Sequence, residues 1–134
     1  MTSLDSSIES VRLAARAADK LKATDIVAFD VSGALGITDA MLIASASNER
    51  QVLAVAEEIE KDLYVDGGHL KPRGREGVEE GQWILLDYGD FIVHVMHDEA
   101  RGFYNLERLW RDCGQIDLQL PQAPSDDGRQ DAQD

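Results

Sequence analysis

Residues 83–97 read WILLDYGDFIVHVMH. Two runs rich in β-formers flank a short polar break, which is the pattern of two strands joined by a tight reversal. The simplest structure is a hairpin turning at Tyr88 and Gly89, with Gly89 supplying the positive φ that such turns need. A two-residue loop there sets Asp87 opposite Asp90, Leu85 opposite Ile92 and Trp83 opposite His94, and leaves Tyr88 exposed at the tip. Side chains alternate across a strand, so Ile84, Leu86, Phe91, Val93 and Val95 form one apolar face that belongs to a core. Trp83, Leu85, Ile92 and His94 share the other face with the two aspartates, which reads as a partly covered or partner-facing surface. Facing like charges cost about a few tenths of a kcal/mol or more, so a cation near the aspartates is expected.

Outward from the hairpin, helical and strand periods alternate. A first helix is predicted from about Ser6, where Ser6 and Glu9 form a capping box, with Ile8, Val11, Ala15, Ala18 and Leu21 as its apolar stripe. Residues 25–32, DIVAFDVS, and 40–47, AMLIASAS, read as strands; the short turn between them requires antiparallel pairing. A second helix follows, capped by Ser47 or Asn48, with Val52, Val55, Ala56, Ile59 and Leu63 buried and Gly67 and Gly68 closing it. Residues 67–81 are polar and glycine-rich and are expected to form a loop, in which Lys71, Arg73 and Arg75 are solvated or meet a phosphate backbone. Residues 98–112 predict a short amphipathic helix carrying Phe103, Leu106 and Trp110, with Gly102 as its weak point. QIDLQL, 115–120, is expected to add a final strand. The fold class that follows is α/β: one domain over 1–120, with helices packed on a mixed sheet. The segment 121–134 is proline-containing, polar and acidic, and is expected to be a disordered tail.

The chain has 134 residues and a formal net charge of −13. The tail holds four aspartates and one arginine, so most of the acidity lies in the folded part. That balance argues against gripping nucleic acid over a broad face and favours solubility or a basic protein partner. A single cysteine, Cys113, and no apolar run of membrane-spanning length fit a reducing cytoplasm.

Motifs for chemistry are sparse. His94 and His97 are three apart, which places them on opposite faces of a strand, and Asp87 and Asp90 lack a third ligand, so no metal is expected. No phosphate-binding loop ending in Gly-Lys-Ser/Thr and no nucleophile elbow is present. Catalytic residues are none and no cofactor is called for.

The segments ITDAMLIASASNERQVLAVAEEIE and EGQWILLDYGDFIVHVMHDEARGFYNLERLW together resemble the ribosomal silencing factors, also called Iojap-like proteins. The likeness runs over about residues 21–110 and rests on an ordered series of motifs: ITD, RQV, W-x-L-L-D-Y-G-D, VH and R-x-F-Y-x-L-E-x-L-W. It implies a nucleotidyltransferase-like α/β fold without catalytic carboxylates. It implies binding to large-subunit ribosomal protein fourteen at the face that meets the small subunit, with steric block of subunit joining and reduced translation under nutrient limitation. It also implies self-association as a homodimer. The family's partner-binding signature falls on Trp83, Asp87, Tyr88 and Asp90, with Leu85 or Leu86 between them. Arg101, Phe103, Tyr104 and Trp110 are further family positions; helix-to-sheet packing accounts for the aromatics, and Arg101 is a cation available to the aspartate pair. Ala40 and Met41 depart from the bulkier residues that often follow ITD. Two other readings stay open: a nucleotide-binding enzyme, and a large-subunit assembly factor.

Overall fold

The computed structural model describes residues 3–121. They form α1 (Ser3–Lys20), β1 (Thr24–Asp30), α2 (Ser32–Leu35), β2 (Ala40–Ala46), α3 (Glu49–Val65), β3 (Gly74–Glu76), β4 (Trp83–Asp87), β5 (Phe91–His97), α4 (Asp98–Tyr104), α5 (Glu107–Trp110) and β6 (Gly114–Gln115). The strands make one mixed sheet in the order β3-β4-β5-β2-β1-β6. Its pairs are antiparallel except for β2 with β5, which run parallel. The architecture is the α/β class read from the sequence, a mixed sheet flanked by helices.

Each sheet face has its own core. Ala28, Leu42, Ala44, Ile84, Leu86, Phe91, Val93 and Val95 point to the side covered by α1 and α3. Their partners there include Val11, Ala14, Ala15 and Ala18 of α1 and Val52, Val55, Ala56, Ile59 and Leu63 of α3. The many alanines on α1 let its backbone lie close to the sheet. Lys20 then ties the two helices together, 2.7 Å from Glu58 and 2.9 Å from Asp62. A smaller core on the other face gathers Phe29, Val31, Met41, Ile43, Met96 and Leu106, with Trp110 packed at its margin.

Several local expectations change. The first helix already runs from Ser3, so Ser6 lies inside it and does not cap it; neighbouring Ser7 donates instead to Asp39 at 2.9 Å. Asn48 is the cap of α3, accepting from the Gln51 N–H. The expected loop over 67–81 contains β3, which pairs with β4 although its sequence lacks apolar alternation. An edge strand needs only backbone donors and acceptors, so it leaves little mark on composition. The helix expected over 98–112 is two short ones, and the break falls at Asn105, with φ +50°, three residues beyond Gly102. Of the strand expected over 115–120 only Gln115 lies in a strand, β6, which pairs Gly114 and Gln115 with β1, and residues 116–120 are not strand. Residues from 122 onward, and with them most of the acidic tail, lie outside the described residues.

Arg101 is not near the aspartates of the hairpin. It is buried, and its guanidinium reaches Glu107 at 2.7 and 2.8 Å and the Ser45 hydroxyl at 3.1 Å. Burial pushes the Glu107 carboxyl up, but the Arg101 hydrogen bonds, the backbone N–H of Glu107 and the Arg101 charge together outweigh that and hold it below the usual range. This fork ties β2 to both short helices. Arg101→Met leaves Glu107 without its cation and is expected to lower stability by about 2 to 3 kcal/mol, measured by urea denaturation followed by circular dichroism.

Candidate functional site

The hairpin of β4 and β5 holds the residues singled out by sequence, in a different register from the expected one. Asp87 pairs with Ile92, Leu85 with His94 and Trp83 with Met96. The Tyr88 N–H bonds to the Phe91 carbonyl at 3.0 Å, so the turn is centred on Gly89 and Asp90. Two local contacts decide this. The Asp87 carboxylate accepts the Gly89 N–H at 2.8 Å, and the Asp90 N–H closes on the Tyr88 carbonyl at 3.0 Å over Gly89 at φ +83°. That reversal is as tight as a γ-turn, and the positive φ favours glycine. Pairing has moved by two residues, and an even shift keeps every side chain on its face. The expected repulsion between Asp87 and Asp90 does not arise, because they are not opposed. Asp87 instead meets Arg73 at 3.3 Å.

The signature residues divide between the two faces. Trp83, Leu85 and Asp87 are half-buried on the side away from α1 and α3, together with Ile92 and the buried His94. Asp90 is exposed at the turn. Leu86 is 0% exposed in the opposite core, so it shapes the hairpin from within. Tyr88 also turns to that side, a correction to the expected exposed tip. Its ring stacks on Phe91 with centroids 4.8 Å apart and planes within 9°, and its hydroxyl is buried without a hydrogen-bond partner among the described residues. Burial, reinforced by the Glu60 charge, pushes the Tyr88 phenol well up, so it stays protonated. Apolar stacking and core contact outweigh exposure at the tip, because the ring can fold over the sheet end.

Trp83 is held from several sides. Its indole N–H donates to His94 Nδ1 at 2.9 Å, and its ring lies 4.8 Å from that of Tyr104 on α4. Behind its backbone the β3–β4 connection passes so close that a Cβ on Gly77 would lie 1.9 Å from the Trp83 carbonyl oxygen, with φ there at +78°. Glu76, Gly77, Trp83 and Leu85 line a shallow groove at this edge. Desolvation lowers the His94 pKa from 6.5 to about 4, so the imidazole is neutral near pH 7 and Nδ1 is free to accept. His97 plays a separate part, since its Nδ1 accepts the Glu99 N–H at 3.1 Å and caps α4.

Sequence reasoning missed the aromatic continuation onto α4. Phe103 is 82% exposed and meets Tyr104 edge-on at 5.0 Å, while Tyr104 reaches Trp83, so neither is buried packing as expected. Adjacent residues on a helix point about 100° apart, and the short α4 turns only a narrow face to the sheet, so Phe103 and Tyr104 fall at its outer edge. Trp110 does pack on the second core. Ala40 and Met41 are core residues, and the exposed apolar side chain of that segment is Ile37. The basic residues of the 67–81 segment have partners in the chain: Lys71 lies over the Tyr64 ring, Arg73 meets Asp87 and Arg75 meets Glu60. Among the described residues no group of three His, Cys, Asp or Glu is placed to hold a metal ion, and no helix is long and apolar enough to cross a membrane.

These features define an α/β protein whose sheet has one covered face and one half-open face at a hairpin edge. A family model described as ribosomal silencing factor during starvation matches residues 4–134. The ribosomal silencing factor RsfS of Halalkalibacterium halodurans is 40% identical over 111 residues, covering 83% of this chain and 93% of that protein. The crystal structure of a Chromobacterium violaceum protein matches with a TM-score of 0.72 at 33% identity, covering 85% of this chain and 88% of that one. The mouse protein named mitochondrial assembly of ribosomal large subunit protein 1 is 32% identical over 93 residues, covering 66% of this chain and 39% of that protein. The chain belongs to the ribosomal silencing factor family.

The division of the hairpin predicts unequal costs. Leu86→Ala is expected to lower stability by about 3 kcal/mol, and Leu85→Ala by less than about 1 kcal/mol, in paired urea titrations. His94 gives a pH signature. Its folded pKa of about 4 lies below the unfolded 6.5, so the unfolded chain takes the proton first and stability falls as pH drops through that window. Between pH 7 and 4 the wild type is expected to lose about 3 kcal/mol more than His94→Asn, both sharing the same carboxylate titrations.

Proposed function

We propose that this chain represses translation by binding the large ribosomal subunit through its protein fourteen and blocking the joining of the small subunit, lowering translation under nutrient limitation. The observation that carries the reading is the half-open hairpin face, where a held Trp83 stands beside Leu85 and Asp87 in a chain of net charge −13. Family membership and the large-subunit role in the name of the mouse relative support the ribosome as the partner. In this reading Trp83, Leu85 and Asp90 make the contact, and Asp87 shapes the turn while offering charge. Leu86 and Tyr88 back the hairpin from its core side. A central aromatic with acidic groups at the rim suits a basic, RNA-embedded protein, because charge steers encounter and a buried ring supplies most of the affinity. No catalysis and no cofactor enter the mechanism: occupancy of the face is the whole effect. Action in the cytoplasm and pairing into a homodimer belong to the same proposal, as does the domain boundary near residue 120.

A second reading, assistance in large-subunit assembly, is favoured by the name of the mouse relative. It would use the same surface, and the two separate in the outcome: blocked subunit joining for silencing, accumulated large-subunit precursors on depletion for assembly.

Co-sedimentation with purified large subunits at near-physiological salt tests the contact. Wild type is expected to pellet with the subunits and to reduce formation of joined ribosomes in a sucrose gradient. Trp83→Ala or Asp90→Lys is expected to weaken binding at least about tenfold with an unchanged circular dichroism spectrum. Unimpaired binding by both variants would place the contact elsewhere.

A further inference from the structure

We infer that His94 is a positioning residue: it sets the orientation in which the Trp83 indole meets the partner. The inference rests on the proposal that the face of Trp83 is the partner-binding surface.

His94 is 6% exposed. Across the strands it lies opposite Ile43 of β2 and Leu85 of β4, and Met96 of its own strand shares the face. A branched aliphatic residue would fill this site without burying polar nitrogens, and burying an imidazole there carries a desolvation cost. The side-chain contact that uses those nitrogens is the 2.9 Å bond from Trp83 Nε1. Because the indole can only donate, Nδ1 must carry no proton, and the neutral ring therefore holds its proton on Nε2.

Geometry makes this bond a constraint on direction. Trp83 pairs with Met96, so His94 sits diagonally from it, two residues nearer the turn. The bond therefore draws the five-membered end of the indole toward the middle of the sheet. Tyr104 braces the ring from α4 with planes tilted by 48°. One fixed end and one braced face leave Trp83 a single rotamer before any partner arrives. An aromatic anchor that is ordered in advance loses less side-chain freedom on binding, and this raises affinity without a new contact. His94 thus contributes from behind the surface.

The test joins spectroscopy to binding. In uniformly labelled wild type, NMR is expected to show a through-hydrogen-bond 15N–15N coupling between Trp83 Nε1 and His94 Nδ1. The indole of Trp110, the second tryptophan of the chain, serves as the reference. His94→Leu is expected to shift the Trp83 indole resonance and speed its exchange, leave that of Trp110 in place, and weaken binding to large subunits about five- to tenfold. His94→Asn, whose Oδ1 stands near the position of Nδ1, is expected to restore both the resonance and binding. Absence of the coupling, or a folded His94→Leu that binds like wild type while wild type binds well, overturns the inference. If His94→Leu does not fold, the wild-type coupling and His94→Asn decide the matter. Failure of wild type to bind large subunits overturns the proposed function instead, and with it the role of His94 in binding.

Discussion

The parallel pairing of β2 with β5 is the contact on which the other elements depend. It runs from Ala40 beside Phe91 to Ala46 beside His97, and every residue of β2 is buried. A strand covered on both sides needs apolar residues on both sides, which AMLIASA supplies with Ala40, Leu42, Ala44 and Ala46 on one face and Met41, Ile43 and Ser45 on the other. Its one polar member, Ser45, is satisfied by Thr24 and by the buried Arg101. Parallel neighbours require a crossover, and here the crossover carries α3, β3 and β4 before β5 returns. The hairpin is thereby placed at the outer side of β5, with β3 at the sheet edge.

Uneven cover of the two faces then makes the site. Two long helices close the first face, so Leu86, Phe91 and Tyr88 are drawn inward there. The other face is closed by α4 and α5, which are short and packed near β2 and β5 through Arg101 and Leu106. They stop at Trp83, where Tyr104 is the last cover and Phe103 stands free. The same shortness that limits the second core leaves an aromatic row graded from the exposed Phe103 to the buried His94. Stability and recognition therefore share residues at this edge, and the polar contacts there set direction as well as holding structure together.

Much of this was legible in the residues. The stripe Val52, Val55, Ala56, Ile59 and Leu63 is wholly buried, and the assignment of Trp83, Leu85, Ile92 and His94 to one face stands, because 3.6- and two-residue periods are local properties of the backbone. Less legible were features made by competition between contacts. Tyr88 was readable as a tip residue until Phe91 offered it a stacking surface, and Arg101 was a plausible mate for the aspartates until Glu107 and Ser45 proved nearer. The strand β3 leaves no mark in the residues because its pairing uses only backbone, and the backbone is the same for every sequence.

By itself the sequence determined the α/β class, the helical stripes, the two faces of the hairpin, and the ordered motifs that mark the family. Each follows from alternation along the chain or from residues close together in it. Only the tertiary structure decided the register of the turn, the partner of Arg101, the inward Tyr88 and the hold of His94 on Trp83. Those outcomes depend on which distant groups arrive beside a residue, as Ser45 does beside Arg101 from 56 positions away. Local periodicity carries no record of that arrival, so packing had to choose.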